Sequence, residues 1–244
     1  MSKYIHELEI VFKGLDYYYE LIRENPGFTH LYICKSNEEI KTLFAKDSPL
    51  ASLTNLEKLR IDPQPGVDEE DANPDDFPLS EEAVKAIFSE DSPLKHLTNL
   101  KKLNLACNYI GDVGISHMFH HNSALRCLTN LTKLNLEYNF IGLEGFSILF
   151  DENSILKYLT NLSVLNLSSN GIGYDKINII FSKNSSIQHL KNLTKLYFNG
   201  NHLDAKCFKV MFDQDSILQK LSKLKYLDLH FNHITFESIE VIYG

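Results

Sequence analysis

The stretch Leu97-Thr98-Asn99-Leu100-Lys101-Lys102-Leu103-Asn104-Leu105-Ala106-Cys107-Asn108-Tyr109-Ile110 returns along the chain with starts at Leu128, Leu159, Leu190 and Leu221. Its last asparagine therefore recurs as Asn108, Asn139, Asn170, Asn201 and Asn232, 31 residues apart each time. A period this strict predicts a stack of equivalent units. Function is then limited to what a stacked, curved surface can do.

Inside one unit, Leu103 and Leu105 alternate with Asn104, which is strand periodicity. Asn108 turns the chain, and a column of such asparagines can bond loop backbone and the next unit. Gly111 and Gly114 precede a helical stretch carrying Ile115, Met118 and Phe119. Phe119 recurs as Phe150, Phe181 and Phe212, which predicts a hydrophobic spine. Ser123 recurs as Ser92, Ser154, Ser185 and Ser216, which predicts a turn or cap that accepts backbone amides.

The L-x-x-L-x-L-x-x-N-x-L pattern resembles that of leucine-rich-repeat proteins, most closely the subgroup with a full helix in each repeat, as in ribonuclease inhibitor. The resemblance covers nearly the whole chain. It implies an α/β leucine-rich-repeat solenoid, a horseshoe arc with a parallel β-sheet on its concave face and helices on its convex face. About eight strands are expected.

The period extends towards the N-terminus with edits. Leu53-Thr54-Asn55-Leu56 leads to Leu59 and Ile61, Phe28 leads to Leu31 and Ile33, and Ile5 leads to Leu8 and Ile10. Ser36 and Glu39 have capping-box spacing. A single helix over residues 3–24 competes with the first strand, and Gly14 in its middle argues against it. Between Ile61 and Leu79 stands an acidic, proline-rich insertion over residues 63–77, expected to lack regular structure, with Ser80 capping the helix that follows. The organisation read from this is one leucine-rich-repeat domain over 1–244, with diverged repeats in 1–52 and regular 31-residue repeats in 97–244. No polar closing unit follows the last repeat, so either the chain is truncated or residues 236–243 form the lid.

The chain has 244 residues and a net charge of −8, a balance that disfavours nucleic-acid binding. No apolar run suggests a membrane span and no secretory signal is visible. Cys34, Cys107, Cys127 and Cys207 have no paired spacing, which favours a reduced, cytoplasmic setting. The N-x-S/T triplets, such as Asn130-Leu131-Thr132, are then by-products of the repeat.

Side chains between the strand leucines point outwards and form rows across the sheet. One row runs Glu7, His30, Lys58, Lys102, Lys133, Val164, Lys195 and Tyr226; the next runs Glu9, Tyr32, Arg60, Asn104, Asn135, Asn166, Tyr197 and Asp228. A third includes Glu137 and His230, and Tyr138, Phe140 and Phe231 lie just beyond. A basic streak thus meets a cluster of aromatics, and tyrosine, phenylalanine and arginine are common carriers of binding energy. The candidate partner-binding residues are Lys58, Arg60, Lys102, Lys133, Glu137, Tyr138, Phe140, Lys195, Tyr197, Tyr226, Asp228, His230 and Phe231. Lys102 and Lys133 repel, with Glu137, the acidic residues Asp68–Asp76, a partner or solvent screening as the offset. Leu165 is expected to be core and Asn166 an outward residue of little weight for stability.

No catalytic constellation emerges. His117 and His121 at helical spacing lack the H-E-x-x-H arrangement and read as surface helix histidines, and the acidic insertion lacks calcium-loop spacing. Neither an enzyme activity nor a cofactor or metal is expected. The leading reading is a non-catalytic protein-interaction module, a monomer when alone, that regulates or inhibits a folded partner with an acidic or mixed patch. Nucleic acid and membrane are not expected partners. The repeats also look like those of effectors that intracellular bacterial pathogens deliver into the host cytosol. Two other readings stay open: the substrate-recognition part of a ubiquitin-ligase-type assembly, and a structural or oligomerising element.

Overall fold

The computed structural model describes residues 6–10, 13–63 and 79–243. Eight strands form one parallel sheet in sequence order: β1 Glu7–Ile10, β2 His30–Lys35, β3 Lys58–Pro63, β4 Lys102–Asn104, β5 Lys133–Asn135, β6 Val164–Asn166, β7 Lys195–Tyr197 and β8 Tyr226–Asp228. Each is followed by a helix: α1 Leu15–Glu24, α2 Asn37–Leu43, α3 Glu81–Phe88, α4 Gly111–Phe119, α5 Leu143–Phe150, α6 Tyr174–Ile180, α7 Ala205–Met211 and α8 Phe236–Tyr243. The chain is an α/β solenoid, with the sheet lining the concave side. The strand at Glu7–Ile10 and the separate helix at Leu15–Glu24 decide against one helix over residues 3–24. The acidic insertion lies outside the described residues, save for Pro63 at the end of β3.

Strand register follows the leucines. Leu8, Leu31, Leu59, Leu103, Leu134, Leu165, Leu196 and Leu227 pair across the sheet in one unbroken row. From Leu8 to Leu196 they are buried, and Leu227 is half-buried. Phe44, Phe88, Phe119, Phe150 and Phe181 form the expected spine, and Phe212 continues it half-buried.

The asparagine column closes each turn with the repeat that follows. Oδ1 of Asn139 accepts the N–H groups of Asn108 (3.2 Å) and Ile110 (3.3 Å). Its Nδ2 donates to the carbonyls of Leu105 (2.8 Å) and Glu137 (3.1 Å). Asn170 and Asn201 repeat this bridge. These amides are buried, so each satisfies backbone groups that water cannot reach.

The serine column acts as the sequence implies. Ser92, Ser123, Ser154, Ser185 and Ser216 each accept, through Oγ, the N–H two residues on, opening a short 3₁₀ turn. Ser48 does the same. Ser36 and Glu39 form the predicted capping box, and Ser80 caps α3. One expectation fails: α4 ends at Phe119, so His121 lies in the turn beyond it and does not share a helical face with His117.

Candidate functional site

The outward rows fall in the register read from the leucines. Lys58, Lys102 and Lys133 are neighbours on β3, β4 and β5, and Val164 separates them from Lys195. A groove of about 320 Å³ lies at this end of the strand face, lined by Glu7, Glu9, His30 and Tyr32 on one side and Lys58, Arg60 and Lys102 on the other.

The candidate residues do not form one continuous patch. Arg60 is already engaged: Nη2 pairs with Asp62 Oδ2 of its own strand at 2.7 Å, and the guanidinium sits 5.2 Å from the Tyr32 ring centroid on β2. The hydrogen bond to Asp62 raises the Arg60 pKa. Burial is the main cause that raises the Tyr32 phenol pKa, with a hydrogen bond to Cys34 and the Asp62 charge adding to it. Glu137 accepts from Asn166 Nδ2 at 2.9 Å, so its carboxylate is committed to the neighbouring strand. Asn166 also accepts from the N–H of Ser168 at 3.0 Å. It is therefore a structural link, and the expectation of an idle outward residue is revised.

Two aromatic groups form. At the rim past β4 and β5, Tyr109 stacks on Phe140 with centroids 4.7 Å apart, and Tyr138 meets Phe140 edge-on at 5.0 Å. On β7 and β8, Tyr197 and Tyr226 share one face, with centroids 5.4 Å apart, and Lys195 Nζ lies 5.8 Å from the Tyr226 ring centroid. Asp228 accepts from His230 Nδ1 at 2.7 Å, and the His230 and Phe231 ring centroids lie 6.5 Å apart.

The rim carries a feature the sequence did not announce. Tyr109, Tyr138, Phe140 and Phe231 have φ between 52° and 54°, in the left-handed region. This conformation costs a non-glycine residue roughly 1–2 kcal/mol. Equivalent positions elsewhere hold Gly171 (φ 60°) and Gly200 (φ 66°), so the fold accepts glycine there. Phe231 is 88 % exposed, Phe140 56 % and Tyr138 38 %. These aromatics thus sit at strained, water-facing positions where burial contributes little.

A second polar ladder was also missed. Asn99, Asn130, Asn161 and Asn192 each donate through Nδ2 to the carbonyl of Thr54, Thr98, Thr129 or Thr160 of the preceding repeat, all at 2.9 Å. The signal was present as another 31-residue recurrence. It gives Asn130 a structural role within its N-x-T triplet.

Leucine-rich-repeat family models match residues 96–118, 127–147, 158–175 and 223–244, and the chain belongs to this family. Proteins of the family are generally non-catalytic interaction modules. A search of curated protein sequences returns no match. Among solved structures, internalin C2 of Listeria monocytogenes aligns with 23 % identity over 77 % of this chain and 57 % of its own, with a TM-score of 0.43. The mouse RP105/MD-1 complex aligns at 19 % identity, covering 88 % of this chain and 32 % of that one, with a TM-score of 0.47. The Drosophila Toll–Spatzle complex aligns at 12 % identity, covering 94 % and 24 %, also at 0.47. The chain thus spans between about a quarter and just over half of these three proteins. Among the described residues no helix is long and apolar enough to cross a membrane.

Proposed function

We propose that this protein is a non-catalytic binding module that clasps a folded protein partner across its strand face and rim, regulating it by covering a functional surface. The observation that carries the reading is the set of exposed aromatics held in left-handed turns, where glycine is accepted by the same fold. Stability alone gives no reason to keep them. Exposed aromatics on a preformed scaffold provide contact area with little conformational entropy left to lose. Tyr197, Tyr226 and Phe231 supply the C-terminal anchors, and Tyr138 and Phe140 supply those of the middle repeats. All four cysteines are thiols, which supports a cytosolic setting.

The test is affinity capture followed by mass spectrometry, comparing the native chain with a Tyr197→Ala/Tyr226→Ala/Phe231→Ala variant. The variant is expected to keep its unfolding transition and lose the partners that the native chain captures. Undiminished capture would remove the C-terminal half of the face from the binding surface.

A second reading, self-association through the last repeat, draws on one observation. Leu224, Leu227 and Leu229 are only half-buried there, and Phe236 and Ile239 are exposed. A mass that rises with concentration in light scattering favours it, and a constant monomer mass removes it.

A further inference from the structure

Lys58, Lys102 and Lys133 stand in register on β3, β4 and β5. Parallel strands lie about 4.8 Å apart, so three ammonium groups rise from roughly 10 Å of sheet. The nearby carboxylates are committed elsewhere: Glu57 pairs with Lys101 at 2.6 Å, Asp62 with Arg60, and Glu137 bonds Asn166. Among the described residues no carboxylate pairs with any of the three lysines. The charge of Lys133, then burial and the charge of Lys58, pull the Lys102 pKa down. Like charges on adjacent strands oppose sheet formation. A repelling row therefore persists in a chain whose net charge is −8.

The row has limits. Val164 ends it on β6, and Lys195 beyond lies over the Tyr226 ring. On the other side the groove is walled by Glu7 and Glu9. A long polyanion running the length of the sheet would meet those carboxylates, whereas a short anionic stretch would not.

We propose that the lysine row of β3–β5 is the docking site for an acidic segment of the protein partner, an extended stretch with carboxylates on alternate residues. This rests on the reading of the strand face as the partner surface and specifies what one part of it selects. In an extended chain, side chains on the same side repeat about every 6.7 Å, so two or three carboxylates span the three lysines. Flexible lysine stems take up the mismatch with strand spacing.

The probe is fluorescein-labelled hexaglutamate, followed by fluorescence anisotropy at low and physiological ionic strength. Binding is expected at low salt and should weaken as salt rises. A Lys102→Gln/Lys133→Gln variant is expected to bind about tenfold more weakly and, because repulsion is relieved, to keep or raise its thermal midpoint, while Lys183→Gln, at an exposed lysine in the turn after α6, binds as the native chain does. Native-like hexaglutamate binding by the double variant overturns the proposal. So does tighter binding of a single-stranded oligonucleotide of equal charge. If hexaglutamate fails to bind while the triple aromatic variant loses its partners, the lysine site falls and the binding-module reading stands. If hexaglutamate binds as expected while that triple variant keeps its partners, the aromatic surface is the part that fails.

Discussion

The repeats before the acidic insertion and those after it solve the same turn differently. From β4 onwards, strands are three residues long and an asparagine ends the turn, buried after β4 to β7 and half-buried after β8. In β2 and β3 the strands run for six residues, and the pairing continues through Cys34–Asp62 and Lys35–Pro63. Counting five residues on from the paired leucines Leu31 and Leu103, the position of Asn108 is taken just past β2 by Ser36, which opens α2 with a capping box. The leucines are common to both regions, so they set register, and the asparagine is what shortens the strand and folds it into a tight turn. The early region has its own clamp: buried Lys35 pairs with Glu39 at 2.9 Å and donates to the Lys13 carbonyl at 2.9 Å.

The sharpest way to break this contrast is Asn139→Ala. Removing the amide orphans the N–H groups of Asn108 and Ile110 and the carbonyl of Leu105, while the Glu137 carbonyl keeps the Cys107 N–H at 2.9 Å. A loss of roughly 4 kcal/mol is expected in chemical denaturation, from about 1–3 kcal/mol for each buried unsatisfied group with partial relaxation. A loss below that of a helix cap would refute the assigned role. Leu165→Ala, at a fully buried position of the regular region, should cost about 3 kcal/mol through the cavity it leaves. Its outward neighbour Asn166→Ala should cost about 1 kcal/mol, since it loses bonds to Glu137 and Ser168 near the surface. Equal losses at the two positions would contradict the assignment of inner and outer faces.

In the early region, Ser36→Ala should cost only about 1 kcal/mol, the usual worth of an N-cap. Acid should act on this region selectively. Burial tends to raise the Glu39 pKa, but hydrogen bonds from Lys35 and Ser36 outweigh it and the net shift is downward from the ordinary value of 4.5. The carboxylate clamp therefore stabilises the fold above the unfolded-state value, and this contribution is lost as pH falls through the folded-state value. The asparagine bridges contain no titratable group. As pH falls, hydrogen-exchange protection relative to the intrinsic rate should accordingly drop in β2 and α2 before β5 and β6, and the reverse order would break the comparison. The smallest expected effect is a gain: Phe231→Gly should stabilise by about 0.5–1 kcal/mol by releasing left-handed strain, net of the extra freedom of unfolded glycine. No gain, measured against Phe231→Ala, would mean that the turn is unstrained.

Much of this was legible because it rests on periodicity. The leucines gave the register of every strand pair, and the serine and asparagine columns announced their hydrogen bonds through spacing alone. What escaped was specific to local geometry. Tyr138 and Phe231 occupy turn positions where glycine would have been the readable signal, so their backbone conformation was hidden by the residues chosen. Arg60 and Asp62 face the same way two residues apart, and rows read across the sheet do not show a pairing along one strand. Asn166 looked idle because its partners lie on the neighbouring strand and two residues along its own.

The asparagine bridges also give the array a direction. Each side-chain oxygen reaches back to amide groups of the unit before it, so peeling away a unit strands buried donors in its predecessor. Peeling from the opposite end leaves a side-chain amide that can rotate towards water. Erosion from the two ends is therefore unequal, and mechanical pulling on the C-terminal side should undo the stack in steps of one unit at higher force than pulling on the N-terminal side.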